Sequence, residues 1–154
     1  LIKLILGEQI EYDGYLYVPQ NIKISYISQD TSHLKGTLSD YARDNGIDET
    51  LFKSILRKLG FERIQFDKKI ESYSEGQKKK VLIAKSLCEE AHLYIWDEPL
   101  NYIDVISRMQ IEELILNYCP TMIFVEHDET FSEKVATKTV TLGDAYDTVK
   151  KVRR

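Results

Sequence analysis

Leu93, Tyr94, Ile95 and Trp96 form an unbroken apolar run that stops at two acids, Asp97 and Glu98. Aromatic and β-branched residues without polar alternation predict a strand buried on both faces of a parallel sheet. In an open sheet of that kind ligands gather beyond the carboxyl ends of the strands, so the paired carboxylates stand where a substrate would be. The plainer alternative is a strand exit with two solvated acids, and what surrounds the run decides between the two.

A second run of the same type, Thr121 to Val125, follows Pro120 and ends in Glu126-His127-Asp128. Between the two, a helix is expected from just after Asp104 to about Tyr118, with Val105, Ile106, Met109, Leu114 and Tyr118 as its buried stripe. The segment therefore predicts a β-α-β unit with a right-handed crossover, delivering Asp97, Glu98 and His127 to one edge of the sheet. Upstream, Leu1 to Leu6 reads as an apolar helix closed by Gly7, starting with neither a Met nor an N-cap, as though cut in mid-helix. Strands are expected at Tyr15 to Val18 and Ile22 to Ser28, divided by Pro19-Gln20-Asn21. Helices follow from about Thr37 and from Asp48 or Glu49, the latter carrying Leu51, Phe52, Ile55, Leu56 and Leu59 and closed by Gly60. Ser74 to Glu90 reads as a longer helix, Phe131 to Ala136 as a short one, and Thr139 to Leu142 as a last strand before a polar tail from Gly143.

A chain of 154 residues buries a substantial core and reads as one soluble, globular domain. Its net charge of −4 argues against a protein whose main contact is bare phosphate backbone, although a ribosome-bound protein with its basic surface elsewhere remains compatible. No apolar run reaches the roughly 18 residues that cross a bilayer. Cys88 and Cys119 lack metal or disulfide spacing and are expected to be inert, buried thiols of a cytoplasmic protein. His33 and His92 read as surface or strand-entry residues, Trp96 and most tyrosines as packing, and Lys78, Lys79 and Lys80 as a solvated helix face.

Ser74-Glu75-Gly76-Gln77 has the spacing of a capping box, worth roughly 1 kcal/mol as a purely structural device. The same geometry offers free N–H groups and a partial positive charge to an anion, with Gly76 allowing a phosphate close approach and Glu75 expected to point away. Taken with a strand ending Asp-Glu, an Asn-x-x-Asp turn and a strand ending in His, the arrangement resembles the ATP-binding cassette family. Tyr73 to Gln77 is similar to its signature motif, Leu93 to Glu98 to Walker B with the catalytic glutamate, Asn101 to Asp104 to the D-loop, Gln29 to the Q-loop glutamine and His127 to the switch histidine. Glu75 and Tyr73 depart from the Gly and Leu usual in that family, and no G-x-x-x-x-G-K-[ST] phosphate loop occurs in these residues.

The resemblance implies an α/β, P-loop NTPase-like cassette with a mostly parallel sheet core and a helical signature subdomain. It divides the chain into the end of the Walker A helix with strands and Q-loop (residues 1–30), the helical subdomain (31–90), the Walker B, D-loop and switch core (91–142) and a polar tail (143–154). It implies a C-terminal part of a longer cassette whose phosphate loop precedes Leu1, inactive as an isolated piece. Asp97 and Gln29 would hold Mg²⁺, Glu98 would polarise the attacking water and His127 would bond the γ-phosphate of ATP, as phosphoryl transfer needs positioning and charge neutralisation above all. Ser74, Gly76 and Gln77 would act in trans on ATP held by a second cassette, with Asn101 and Asp104 at the seam.

The phrases SEGQKKKVLIAKSL, WDEPLNYID and FVEHDETF resemble the ABC-F branch, cytoplasmic proteins with two cassettes in one chain that act on the ribosome. Within it the closest resemblance is to antibiotic-resistance members that protect ribosomes from lincosamides, streptogramins A and pleuromutilins, this chain matching the second cassette. The alternative is the nucleotide-binding subunit of a membrane transporter, coupled to a membrane partner through residues 30–46, a stretch with little apolar surface for that purpose. A DNA-repair or chromosome-structure ATPase would carry a long coiled coil here, and no such pattern is present.

Overall fold

The computed structural model describes residues 1–141 and 148–151. Three parallel strands form its central sheet in the order β1-β2-β3: β1 (Ile24–Ile27), β2 (Leu93–Asp97) and β3 (Met122–Val125). Ile27 lies beside Trp96 and Asp97 beside Val125, so the carboxyl ends of all three strands share one edge. The expected β-α-β unit is present, with α6 (Val105–Tyr118) joining β2 to β3.

The helices before it begin where their caps dictate. A short α1 (Ile2–Ile5) opens the chain, and Gly7 follows it at φ 87°, a conformation open to glycine. Thr37 and Asp40 form a capping box on α2 (Leu38–Asp44), and Asp48 accepts the Leu51 N–H at the start of α3 (Glu49–Lys58). Phe52, Ile55 and Leu56 are the buried face of α3. A single turn, α4 (Arg63–Phe66), and a 3-10 turn (Ile70–Ser72), neither evident from periodicity, lead into α5 (Glu75–Cys88).

Helix α5 is the central spacer, packed against β1 on one side and α3 on another. Residues 79–84 and Ser86 are all buried, so it has little solvated face. A polar chain crosses this contact: Trp96 Nε1 donates to Ser86 Oγ (2.9 Å), Ser86 and Ser25 hydroxyls meet at 2.7 Å, and Ser25 donates to Glu89 Oε2 (2.5 Å). Because the Ser25 proton faces the carboxylate, Ser86 is the donor between the hydroxyls, and the Trp96, Ser86 and Ser25 side chains all find partners in this relay.

After β3 come α7 (Glu129–Val135), capped by Asp128, and an antiparallel pair, β4 (Lys138–Thr141) and β5 (Thr148–Lys151). Within the stretch read as a polar tail, β5 pairs with β4: Lys138 lies beside Lys151 and Thr141 beside Thr148. Leu142, placed in the last strand by the sequence, lies outside the described residues, as do 143–147 and 152–154.

Five expectations are corrected. Tyr15 to Val18 is not a strand; Tyr15 and Tyr17 project into solvent with no sheet partner to pair with. On α6 the predicted stripe is mostly outward, with Val105, Ile106, Met109 and Tyr118 exposed and Leu114 half-buried, while Ser107, Ile111, Glu112 and Ile115 face inward. Ser107 is held there by the Leu59 carbonyl (3.0 Å) and Glu112 by Lys134 (3.0 Å), so the polar side chains arrive with partners. Cys119 is exposed at the left-handed end of α6, and Cys88 is half-buried, its thiol pushed up to about 11 by burial. The expected packing role holds for Trp96 and Tyr73, both buried, but Tyr12, Tyr15, Tyr17, Tyr102 and Tyr118 are exposed. Ile123 and Val125 of β3 are also partly exposed, so that strand is less enclosed than its composition suggests.

Candidate functional site

The edge where the strands end gathers five of the singled-out side chains. Because Asp97 sits beside Val125 and the Glu98 N–H donates to the Val125 carbonyl (3.0 Å), the residue after β2 lies next to the residues after β3. Glu98 Oε1 is 3.4 Å from His127 Nε2, an ion pair when the imidazole is protonated, and Glu98 Oε2 accepts from Asn101 Nδ2 at 2.6 Å. Glu98 itself has φ 48°, a left-handed backbone that costs a side-chain-bearing residue roughly 1–2 kcal/mol. Such strain persists where surrounding contacts impose it, and here it turns the carboxylate toward the Asn101 turn. On the other side Gln29, two residues past β1, donates from Nε2 to Asp97 Oδ1 at 3.2 Å.

Glu98 is mostly enclosed, with 23% of its side chain exposed, whereas 82% of the His127 side chain is open to solvent. The cluster thus has a sheltered acid and an accessible imidazole at one rim. Among the described residues no group of three or more His, Cys, Asp and Glu is arranged to hold a metal by itself.

Ser74 and Gln77 do not point into this cluster; they bond each other's backbone, Ser74 Oγ accepting from Gln77 N (3.3 Å) and Gln77 Oε1 from Ser74 N (3.0 Å). The predicted capping box is therefore present. Gly76 has a neighbour that spacing could not reveal: a Cβ there would lie 2.3 Å from the Tyr102 carbonyl oxygen. The glycine lets the 101–104 turn rest on the start of α5. Asp104 fixes the far end of that turn, accepting from Lys80 Nζ (2.6 Å), Ser107 N (2.9 Å) and Ser107 Oγ (2.9 Å) while capping α6.

Three participants were not foreseen. Lys79 and Lys80 are buried, not a solvated face, with Lys79 Nζ donating to the Ser28 carbonyl (3.0 Å). Burial pushes the Lys79 amine below its ordinary value, against the pull of Asp97, Glu98, Glu126 and Glu75. The signal was its spacing of four and seven residues from Ile83 and Ser86, both fully buried. Glu126 accepts the Leu100 N–H (3.2 Å) and so ties the turn after β2 to the end of β3; nothing in the sequence separates it from an ordinary surface acid.

Burial works to raise the Asp104 carboxyl, but the hydrogen bonds from Lys80 and Ser107 outweigh it and hold the group far below the usual carboxylate range. A depressed folded-state value means that the ionised form stabilises the fold above the unfolded value of about 3.9 and that this contribution is lost as pH falls toward the folded value. Asp104→Asn is therefore expected to lower the urea midpoint at pH 7, with the gap to the unaltered protein closing below about pH 4. Since 54% of the Asp104 side chain is exposed, solvent screening keeps the effect modest. A gap independent of pH between 3 and 7 would assign Asp104 no electrostatic role.

Three parallel strands covered by helices, with an Asp-Glu exit on the middle strand, place the molecule among α/β folds of the P-loop NTPase type built as ATP-binding cassettes. The archaeal ribosome recycling factor aABCE1, solved with the ribosomal stalk protein aP1, shares this fold with a TM-score of 0.69 at 23% identity, over 90% of this chain and 28% of that one. The chain belongs to the ABC transporter family, whose family model matches residues 1–101. It is similar to the ATP-binding protein Uup of Buchnera aphidicola, 31% identical over 146 residues, which are 90% of this chain and 24% of that protein. It is likewise similar to the ribosome protection protein VmlR of Bacillus subtilis, 29% identical over 94% of this chain and 27% of VmlR. With the ABC transporter F family member 2 of Arabidopsis thaliana it shares 27% identity over 94% of this chain and 22% of that protein. The chain thus spans about a quarter of the length of these relatives. No helix among the described residues is long and apolar enough to cross a membrane.

Proposed function

We propose that the chain is the hydrolytic part of an ATP-binding cassette in a cytoplasmic ABC-F protein that acts on the ribosome and protects it from antibiotics. One observation carries the enzymatic reading: Glu98 is sheltered, oriented by Asn101 and set 3.4 Å from His127, beside an Asp97 already engaged by Gln29. In this reading Glu98 accepts a proton from the attacking water, and His127, being exposed, donates to the γ-phosphate. Asn101 fixes which way Glu98 faces. Asp97 and Gln29 would hold Mg²⁺, an ion that takes one or two carboxylates and completes its shell with phosphate and water; half a rotation of the Gln29 amide presents its oxygen beside Asp97. Bound there, the ion would supply neutralisation of phosphate charge.

In this reading residues 1–30, 31–90 and 91–142 take the successive parts of the cassette plan, and a phosphate loop elsewhere in the parent completes the site. The α5 start with Ser74, Gly76 and Gln77 faces ATP on a second cassette of that parent, with the Asn101–Asp104 turn at the seam. Similarity to VmlR and to ABC transporter F family members, together with the SEGQKKK and WDEPLNYID phrases, supports the ribosome as the partner.

The test is sedimentation of the parent, carrying Glu98→Gln and the equivalent change in its other cassette, with ribosomes in the presence and absence of ATP. ATP-dependent retention on ribosomes is the expected result. A folded protein that binds ATP yet never sediments with ribosomes would overturn the ribosomal reading and favour a membrane transporter subunit.

A further inference from the structure

The turn that carries Gln29 is gripped from the side by the first two turns of α5. Lys79, 3% exposed, donates from Nζ to the carbonyl of Ser28, the residue before Gln29. Glu75 accepts from the hydroxyl of Thr31, two residues after Gln29, at 2.6 Å. Glu75 and Lys79 are four residues apart and so occupy one face of the helix. Lys78 Nζ steadies Glu75 from the opposite side at 2.9 Å, and Thr31 is itself buried. Inside the turn, Ser28 Oγ donates to the Asp30 carbonyl (2.7 Å) and the Asp30 carboxylate accepts from Ser32 N and Oγ (2.8 and 2.9 Å). The backbone on both sides of Gln29 is thereby fixed, and its amide is the group left to reach Asp97.

A methionine or leucine would fill the space of Lys79 without the cost of burying an ammonium group. What an apolar side chain cannot do is hold the Ser28 carbonyl. We propose that Lys79 and Glu75 are positioning residues that clamp the 28–31 turn to α5, setting Gln29 against Asp97 and making the turn and the signature helix move as one body. This rests on the reading of Gln29 and Asp97 as part of the hydrolytic site. Neither Lys79 nor Glu75 touches a reacting atom; both act through Gln29.

The experiment is steady-state ATP hydrolysis by the full-length parent, with the alterations made in this cassette and the other cassette silenced. Lys79→Met is expected to lower kcat about tenfold and to change KM less than about twofold, because misplacing an aligned group costs turnover more than binding. Lys79→Arg, which keeps a donor and charge, should recover most of the loss. Thr31→Val, which removes the other anchor and leaves Lys79 intact, should act in the same direction and supplies the test should Lys79→Met fail to fold. In a Gln29→Ala background both alterations should lose their effect, since coupled residues are not additive. The same fold-loss with and without Gln29, or a lowered melting temperature with kcat untouched, would overturn the clamp. Glu98→Gln measured in parallel separates the two levels: normal turnover there refutes the hydrolytic site itself, whereas lost turnover there with additive Lys79 and Gln29 effects refutes the clamp alone.

Discussion

Replacement of Glu98 by Gln is expected to lower ATP turnover by the parent protein about 10²- to 10⁴-fold, the range typical of losing a positioned general base. The amide keeps the size of the side chain and an oxygen to accept from Asn101, so the turn after β2 stays in place. What disappears is the negative charge that draws a proton from water and faces His127 across 3.4 Å. Affinity for ATP should change little, because Glu98 acts on the water and Asp97 with Gln29 stays intact. Phosphate release and equilibrium nucleotide binding measured on the same preparation check both halves. Turnover within a few-fold of the unaltered protein would remove Glu98 from the mechanism.

Gly76→Ala should be strongly disruptive, since among the described glycines this is the one where an added Cβ meets a backbone atom closer than 3.0 Å. The added Cβ falls 2.3 Å from the carbonyl oxygen of Tyr102 and 3.3 Å from its carbonyl carbon. A backbone carbonyl cannot rotate away as a side chain does, and Tyr102 already sits in a left-handed conformation at φ 65°. Overpacking of this kind costs typically about 1–3 kcal/mol. Relief comes by moving the 101–104 turn away from α5, which draws Asn101 off Glu98 and strains the Lys80–Asp104 pair. Hydrolysis should therefore fall together with stability, whereas an alteration that merely weakened a phosphate contact would leave the melting temperature alone. A melting temperature equal to that of the unaltered protein would show that the close approach is not needed.

The framework was legible where local chemistry and tertiary packing agree. Ser74 caps α5 as expected, Asp48 and Asp104 cap helices whose starts were expected beside them, and the Leu93 and Thr121 runs became neighbouring parallel strands because both are apolar and end in polar turns. Legibility failed where a side chain is buried for its partner rather than its hydropathy. Lys79, Lys80, Ser107 and Glu112 look solvated in sequence, yet each is paired inside with a carbonyl or a charge. The same limit reversed the stripe of α6, whose apolar residues ring the helix, leaving polar partners to decide which side faces inward. Tyr15 and Tyr17 show the converse, since β-forming residues make no strand without a neighbour to pair with. For the candidate site, residue types at strand ends pointed to Asp97, Glu98 and His127, but Glu126 and the contact of Gly76 with Tyr102 arise from register and turn geometry that periodicity does not contain.

The most direct test of the account is the identity of the nucleotide that stays with the Glu98→Gln parent, altered equivalently in its other cassette, after incubation with ATP and Mg²⁺ and removal of free ligand. Retained triphosphate, with the protein folded, is the predicted result, because the site would bind and position ATP but lack the group that activates water. Recovery of ADP, or of no nucleotide from a folded parent whose unaltered form hydrolyses ATP, would contradict the placing of hydrolysis at the Asp97, Glu98 and His127 edge.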